Sequence, residues 1–228
     1  MVAYATIADW KNVTGKQKST EDAAIELLLE VASRWCDDFC NRKRDGFVAL
    51  TTATARIYKG SGGTHQWIHE CTAITTVAVK QAVNDATYTA WAAADWLAAT
   101  GRPENPDYNS TPYDLLLVNP VGDQSHFLDG SFTAMRGFRP ESNERGRGAP
   151  TVQVTAKWGY ATTVPAAVKQ ATLIQASRWF KRGESAWADA VSNSDFQQLL
   201  FRRDIDVDAK LLLVAGGYRR PSIGGRDF

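Results

Sequence analysis

Between Thr20 and Asn41 apolar side chains recur at three- and four-residue steps: Ile25, Leu28, Leu29, Ala32, Trp35, Cys36 and Phe39. Glu26, Glu30, Ser33 and Asp37 collect on the opposite side. This periodicity predicts a strongly amphipathic helix of about six turns. Its stripe needs another element to cover it. Ser19 stands three residues before Asp22, the spacing of a capping box at the start of that helix. Ahead of it, Tyr4 to Val13 reads as a short helix opened by Thr6, answered by Asp9 and closed by Gly15.

After the Asn41 to Gly46 stretch the period moves from 3.6 towards 2. β-Branched and aromatic residues mark strands at Thr52 to Tyr58 and Ile74 to Val83, with Gly60, Gly62 and Gly63 as a turn between them. In Tyr88 to Leu97 an alanine-rich helix and an aromatic-rich strand compete, and Tyr113 to Val118 reads as a short buried strand. Gly101 to Pro112 and Arg139 to Pro150 are almost wholly turn chemistry, and Phe127, Phe132, Met135 and Phe138 between them suggest a short hairpin. Thr151 to Tyr160 alternates most clearly, with Val152, Val154, Ala156 and Trp158 on one face and Gln153, Thr155 and Lys157 on the other. Gly159 breaks that strand, and Pro165 and Gly183 bracket a helix over Ala166 to Arg182. Phe196, Leu199 and Leu200 start a further helical pattern. Asp206 caps a last helix over Val207 to Val214, which Gly216 and Gly217 stop.

The expected fold class is therefore α+β: a helical bundle with a β-rich insertion between the long N-terminal helix and the C-terminal helices. One domain, 1–217, has its helical core at 4–46 and 151–217 and the insertion at about 47–150. Residues 218–228 lack a periodic apolar face and read as an extended C-terminal tail.

Composition narrows the function. With 26 Lys plus Arg against 25 Asp plus Glu, the formal charge of +1 provides no field of one sign to gather nucleic acid. The first residues lack the layout of a signal peptide, and no apolar run approaches the ~20 residues of a membrane span. Neither export by that route nor membrane insertion is expected. Cys36, Cys40, His65, His69 and Cys71 invite zinc, since helical Cys at four-residue spacing and paired His can each supply two ligands. Cys36, however, falls on the apolar stripe, C-x-x-C pairs are missing, and buried thiols with surface imidazoles are the expectation. No metal and no cofactor is assigned. No nucleophile elbow, zinc-protease, P-loop or dinucleotide motif occurs, and His126 carries no accompanying signature, so no catalytic residue is assigned and no enzyme is expected. Gly60 to Gly63 is a turn, because no helix with an early Lys-Ser/Thr pair follows. Asn12-Val13-Thr14 and Asn109-Ser110-Thr111 fit the glycosylation pattern but lack a secretory context.

Eight tryptophans, including Trp67, Trp91, Trp96, Trp158, Trp179 and Trp187, suit either a stacking surface for sugars or the anchors of protein interfaces. The neutral charge favours interfaces. Arg136, Arg139, Arg145 and Arg147 form the one local basic cluster, a loop suited to a DNA channel or to an acidic partner.

From Thr151 to Arg182 the chain reads TVQVTAKWGYATTVPAAVKQATLIQASRWFKR. An alternating strand ending in aromatic-Gly-Tyr, then Val-Pro, then a helix with Gln-Ala and a terminal aromatic-Lys-Arg, resembles the head-tail connector (adaptor) family of tailed bacteriophages. The early acidic helix at Thr20 to Asn41 and a closing helix followed by Tyr218-Arg219-Arg220-Pro221 agree with it, whereas the insertion from about Thr52 to Pro150 is longer than in short members. The resemblance implies a virion protein of the neck, made in the host cytoplasm. It implies a homo-oligomeric, dodecameric ring beneath the portal protein, joined on its other side to a tail-side neck protein (stopper or tail terminator) and touching packaged DNA non-specifically. It also implies that Tyr218, Arg219, Arg220 and Pro221 bind the portal. A carbohydrate-binding module associated with a tail or surface is the alternative, motivated by the tryptophans and the polar loops.

Overall fold

Thr6 opens the first helix, α1 (Ile7–Thr14), through the reciprocal cap expected of it: its hydroxyl accepts from the Asp9 backbone N–H and the Asp9 carboxylate accepts from the Thr6 N–H. Gly15, at φ 71°, takes the left-handed conformation that closes α1. In the computed structural model of the chain, residues 3–16, 19–42, 44–101, 107–130, 148–184, 190–192, 198–200 and 205–219 are described. They form a mixed α+β fold in two units, one from Met1–Gly46 with Val164–Ser222, the other spanning Phe47–Thr163. Among the described residues, no helix is long and apolar enough to cross a membrane.

The helical unit contains α1, α2 (Asp22–Phe39), α3 (Ala166–Glu184) and α4 (Val207–Ala215). The middle of the stripe that defines α2 in the sequence is buried, with Ile25, Leu29 and Ala32 packing with Ala5, Trp10, Leu173, Ala176 and Phe180, but Ser33 and Asp37, expected on the opposite side, are buried too, on hydrogen bonds with Tyr4. Each large side chain buried there contributes about 1.5–3 kcal/mol. The Ser19 capping box does not form. Glu21 occupies the N-cap without a side-chain bond, because the Asp22 carboxylate is drawn to Lys11, 2.7 Å away. α3 runs through Gly183 to Glu184, its last turn held by Lys16, which pairs with Glu184 at 2.6 Å and lies 4.4 Å above the Phe180 ring. Asp206 caps α4 by accepting from the N–H groups of Asp208 and Ala209. The fully buried Gln175 of α3 accepts from the Asp206 N–H at 3.0 Å, and Arg178 pairs with the Asp206 carboxylate, so the cap itself is bound to α3.

The helical pattern at Phe196 to Leu200 is overturned. In its described part, β8 (Gln198–Leu200) is a strand that pairs antiparallel with β7 (Ala190–Ser192), and Phe196 lies outside the described residues. Three apolar residues satisfy only one helical turn, too little to hold a helix against strand pairing.

The second unit is a six-stranded antiparallel sheet ordered β1-β6-β2-β5-β4, with the short β3 also on β2. β6 (Pro150–Trp158) has the alternation read from its sequence, with Val152, Val154, Ala156 and Trp158 all fully buried. It lies between β1 (Thr54–Lys59) and β2 (His65–Val79), so the chain returns to the helices after this strand, at Val164, not before it. β2 begins nine residues earlier than the hydrophobic pattern suggests, because its inward face carries polar side chains, Gln66 and Glu70. Gln66 accepts from the Ser61 N–H and donates to the Lys59 and Trp67 carbonyls, closing the glycine turn it follows. Register shifts between Cys71 and Ala73 and between Ile74 and Thr76 mark bulges that let this long strand bend. The ambiguous Tyr88 to Leu97 resolves into β3 (Thr89–Ala90) and β4 (Trp96–Ala99), joined by a turn in which Asp95 accepts from the Ala92 N–H. β5 (Tyr113–Val118) matches its expected bounds and pairs with β2 and β4. Gly159, at φ 137°, ends β6 where a Cβ would meet the Ala49 Cα at 2.4 Å, which leaves no room for a side chain.

Candidate interaction surface

α2 ends in a left-handed Asn41, φ 57°, after which the Arg42 N–H donates to the Asp37 carbonyl at 2.7 Å. That exit places the buried Arg42 guanidinium within 3.1 Å of the Tyr218 carbonyl, beyond the end of α4. On the other side, Gly217 at φ 66° lets the Tyr218 N–H reach back to Leu213 at 3.1 Å. The next residue, Arg219, lays its guanidinium 5.0 Å above the Phe39 ring, and Phe39 stacks in turn on Trp35 at 5.5 Å. Tyr218 and Arg219 are thus fastened to the helical unit. Arg220 and Pro221, the other two residues expected to bind a portal, lie outside the described residues. So do Arg136, Arg139, Arg145 and Arg147 of the basic loop, and Phe132, Met135 and Phe138 of the hairpin suggested beside it.

Beside this anchor sits a polar node that the sequence does not announce. The Tyr4 hydroxyl donates to the buried Asp37 carboxylate, Arg34 pairs with the same carboxylate at 2.7 Å, and the Tyr4 N–H donates to Ser33. Gly46 has no side chain because its Cβ would fall 2.5 Å from the Tyr4 hydroxyl. Burial pushes Asp37 up to about 6, outweighing the Tyr4 bond and the Arg34 charge that favour its ionised form.

The residues weighed for zinc are spread over both units. Cys36 donates to Thr172, whose own proton goes to the Val168 carbonyl, while Cys71 donates to the Tyr113 carbonyl. Burial pushes the Cys36 and Cys40 thiols up to about 12. His69 Nδ1 lies in hydrogen-bond contact with the Tyr58 hydroxyl at 2.8 Å, and the same hydroxyl accepts from the His69 backbone N–H. His65 and His126 each sit beside an adjacent hydroxyl, Thr64 and Ser125, in exposed positions. An exposed hydroxyl-imidazole pair lacks the water-excluded setting and orienting third group that make a nucleophile.

Among the described residues, no tryptophan is exposed. Trp10 and Trp158 are in the cores, Trp158 donating to the Thr54 carbonyl under the Arg56 guanidinium, and Trp91 stacks on Phe127 at 4.9 Å. The large apolar side chains that meet solvent among the described residues are aliphatic apart from Tyr108; in the sheet unit they include Ile57, Leu97 and Val121, and on the helices they are Val13 on α1, Leu27 and Val31 on α2, and Val207, Leu211 and Val214 on α4. Val207, Leu211 and Val214 stand out for their spacing: they recur at four- and three-residue steps and make one face. No protein-family model and no curated protein matches the chain.

Proposed function

We propose that this protein is a structural component of the neck of a tailed bacteriophage, an adaptor that joins the head's portal to the tail and carries out no chemistry. The observation that carries the proposal is the pair of aliphatic faces left open on α2 and α4, with Leu27, Val31, Val207, Leu211 and Val214 each about half exposed or more. Apolar faces of this kind on helices mark surfaces that pair with other proteins. The sequence resemblance over Thr151 to Arg182, which spans β6 and most of α3, supplies the family. On this proposal the chain forms a homo-oligomeric ring around the DNA channel, with the portal and a tail-side neck protein as its neighbours. Tyr218 and Arg219 form the root of the portal-binding segment that continues with Arg220 and Pro221.

Because Tyr218 and Arg219 are part of the helical unit, the informative deletion starts at Arg220. Phage whose chain ends after Arg219 are expected to make DNA-filled heads that acquire no tails, counted by electron microscopy of the lysate. Normal tail joining by the truncated chain would remove the role of the segment, and absence of the polypeptide from purified necks would remove the proposal.

A further inference from the structure

The outward side of α2 carries a second apolar surface, opposite the one it buries. Leu27 is 61% and Val31 46% exposed, with Ala23 and Ala24 exposed beside them. The charges flanking this patch are Glu26 and Glu30, both exposed, while Arg34, the one base on the helix, is paired with Asp37. Two such patches packed antiparallel across a two-fold axis would bring the glutamates of each helix against those of the other. What fits this surface is an apolar patch flanked by bases.

The sheet unit has one. On the side of the sheet opposite Tyr58, Val152 and Val154, the β1-β6-β2 region shows Ala55, Ile57, Thr155 and Ala73, and Ile57 is 56% exposed. Lys157 on β6 and Lys59 at the end of β1 are exposed there, and no Asp or Glu occurs within β1 or β6. Small and β-branched residues give this surface the flatness that a helix needs to lie across a sheet, the ordinary way the two kinds of layer bury each other's apolar faces.

We propose that the outward face of α2 in one copy docks on the open β1-β6-β2 face of a second copy, with Leu27 and Val31 against Ile57 and Ala55, and Glu26 and Glu30 towards Lys157 and Lys59. The contact joins two different surfaces, so it closes reciprocally as a dimer or runs from copy to copy into a ring or filament. It rests on the adaptor proposal for the expectation that copies of this chain assemble. The pairing of surfaces comes from their chemistry alone.

The test uses the full-length chain at rising concentration. Zero-length carbodiimide coupling of an equimolar mixture of isotopically heavy and light chains should yield heavy-light peptides joining Glu26 or Glu30 to Lys157 or Lys59. Glu26→Lys with Glu30→Lys should weaken self-association about tenfold or more by sedimentation velocity, as should Lys59→Glu with Lys157→Glu. Mixing the two double variants should restore hetero-association, which misfolding of either could not do. Assembly coupled through other residues, or reversed variants that neither lose association alone nor regain it together, would overturn the docking and leave the neck proposal standing. A chain that stays monomeric throughout would also overturn it, while the neck proposal is judged separately by the particles.

Discussion

Asp37 and Asp9 show how one residue type acquires opposite roles from its surroundings. Asp9 is held down to about 2 by its hydrogen bond with Lys169 and those with Thr6, whereas burial raises Asp37 to about 6 from an ordinary 3.8. The folded state binds the Asp37 proton more tightly than the unfolded state. Its stabilising contribution is complete below 3.8 and is lost as the pH climbs through about 6. Asp9 contributes in the opposite sense, being lost only as the pH falls from 3.8 towards about 2. Asp37→Asn makes the position permanently neutral. Its thermal midpoint should therefore gain on that of the parent protein as the pH is raised from about 4 to about 7. A difference that stays flat across this window would refute the assignment.

At the scale of elements, α1 and β6 are held by different means. α1 has only eight residues, too few to be stable by propensity, and depends on its cap and on Trp10 packing edge-on against Phe180 at 5.1 Å. Thr6→Ala removes the cap and should cost about 1 kcal/mol in denaturant unfolding. A cost indistinguishable from zero would mean that packing alone defines this end. β6 lies inside the sheet and buries its face fully. Trp158→Ala opens a cavity, ends the bond to the Thr54 carbonyl and removes the ring beneath Arg56, for an expected loss of about 3–5 kcal/mol. A loss below about 1 kcal/mol would show that the sheet core collapses around the gap.

For the whole molecule, the distribution of aromatic and aliphatic side chains separates the two functional classes. A sugar-binding module presents a platform of aromatic rings to solvent, yet the described tryptophans are buried or half-buried and, among the exposed large apolar side chains, Tyr108 stands alone as an aromatic beside aliphatic ones. The intact chain is accordingly expected to give no signal on a glycan array. Saturable binding to any one glycan, competed by the free sugar, would reverse the preference for an assembly protein.

Periodicity and turn residues in the sequence determined the helices α1, α2, α3 and α4 and the strands β1, β5 and β6, most directly in α2 and β6, where most of the residues that recur or alternate are those the core takes up. They determined the caps at Thr6 and Asp206 as well, since those bonds close within three residues. Only the tertiary structure decided the start of β2, where Gln66 and Glu70 are buried and Gln66 closes the preceding turn by hydrogen bonds, and the entry of α2, where Lys11 takes the carboxylate meant for a cap. The same holds for the Tyr4–Asp37–Arg34 node and for the anchoring of Tyr218 and Arg219 by Arg42 and Phe39, partners up to 176 residues apart. Hydrophobic period is a local quantity that a chain carries with it, whereas a buried polar contact exists only once folding has brought its distant halves together.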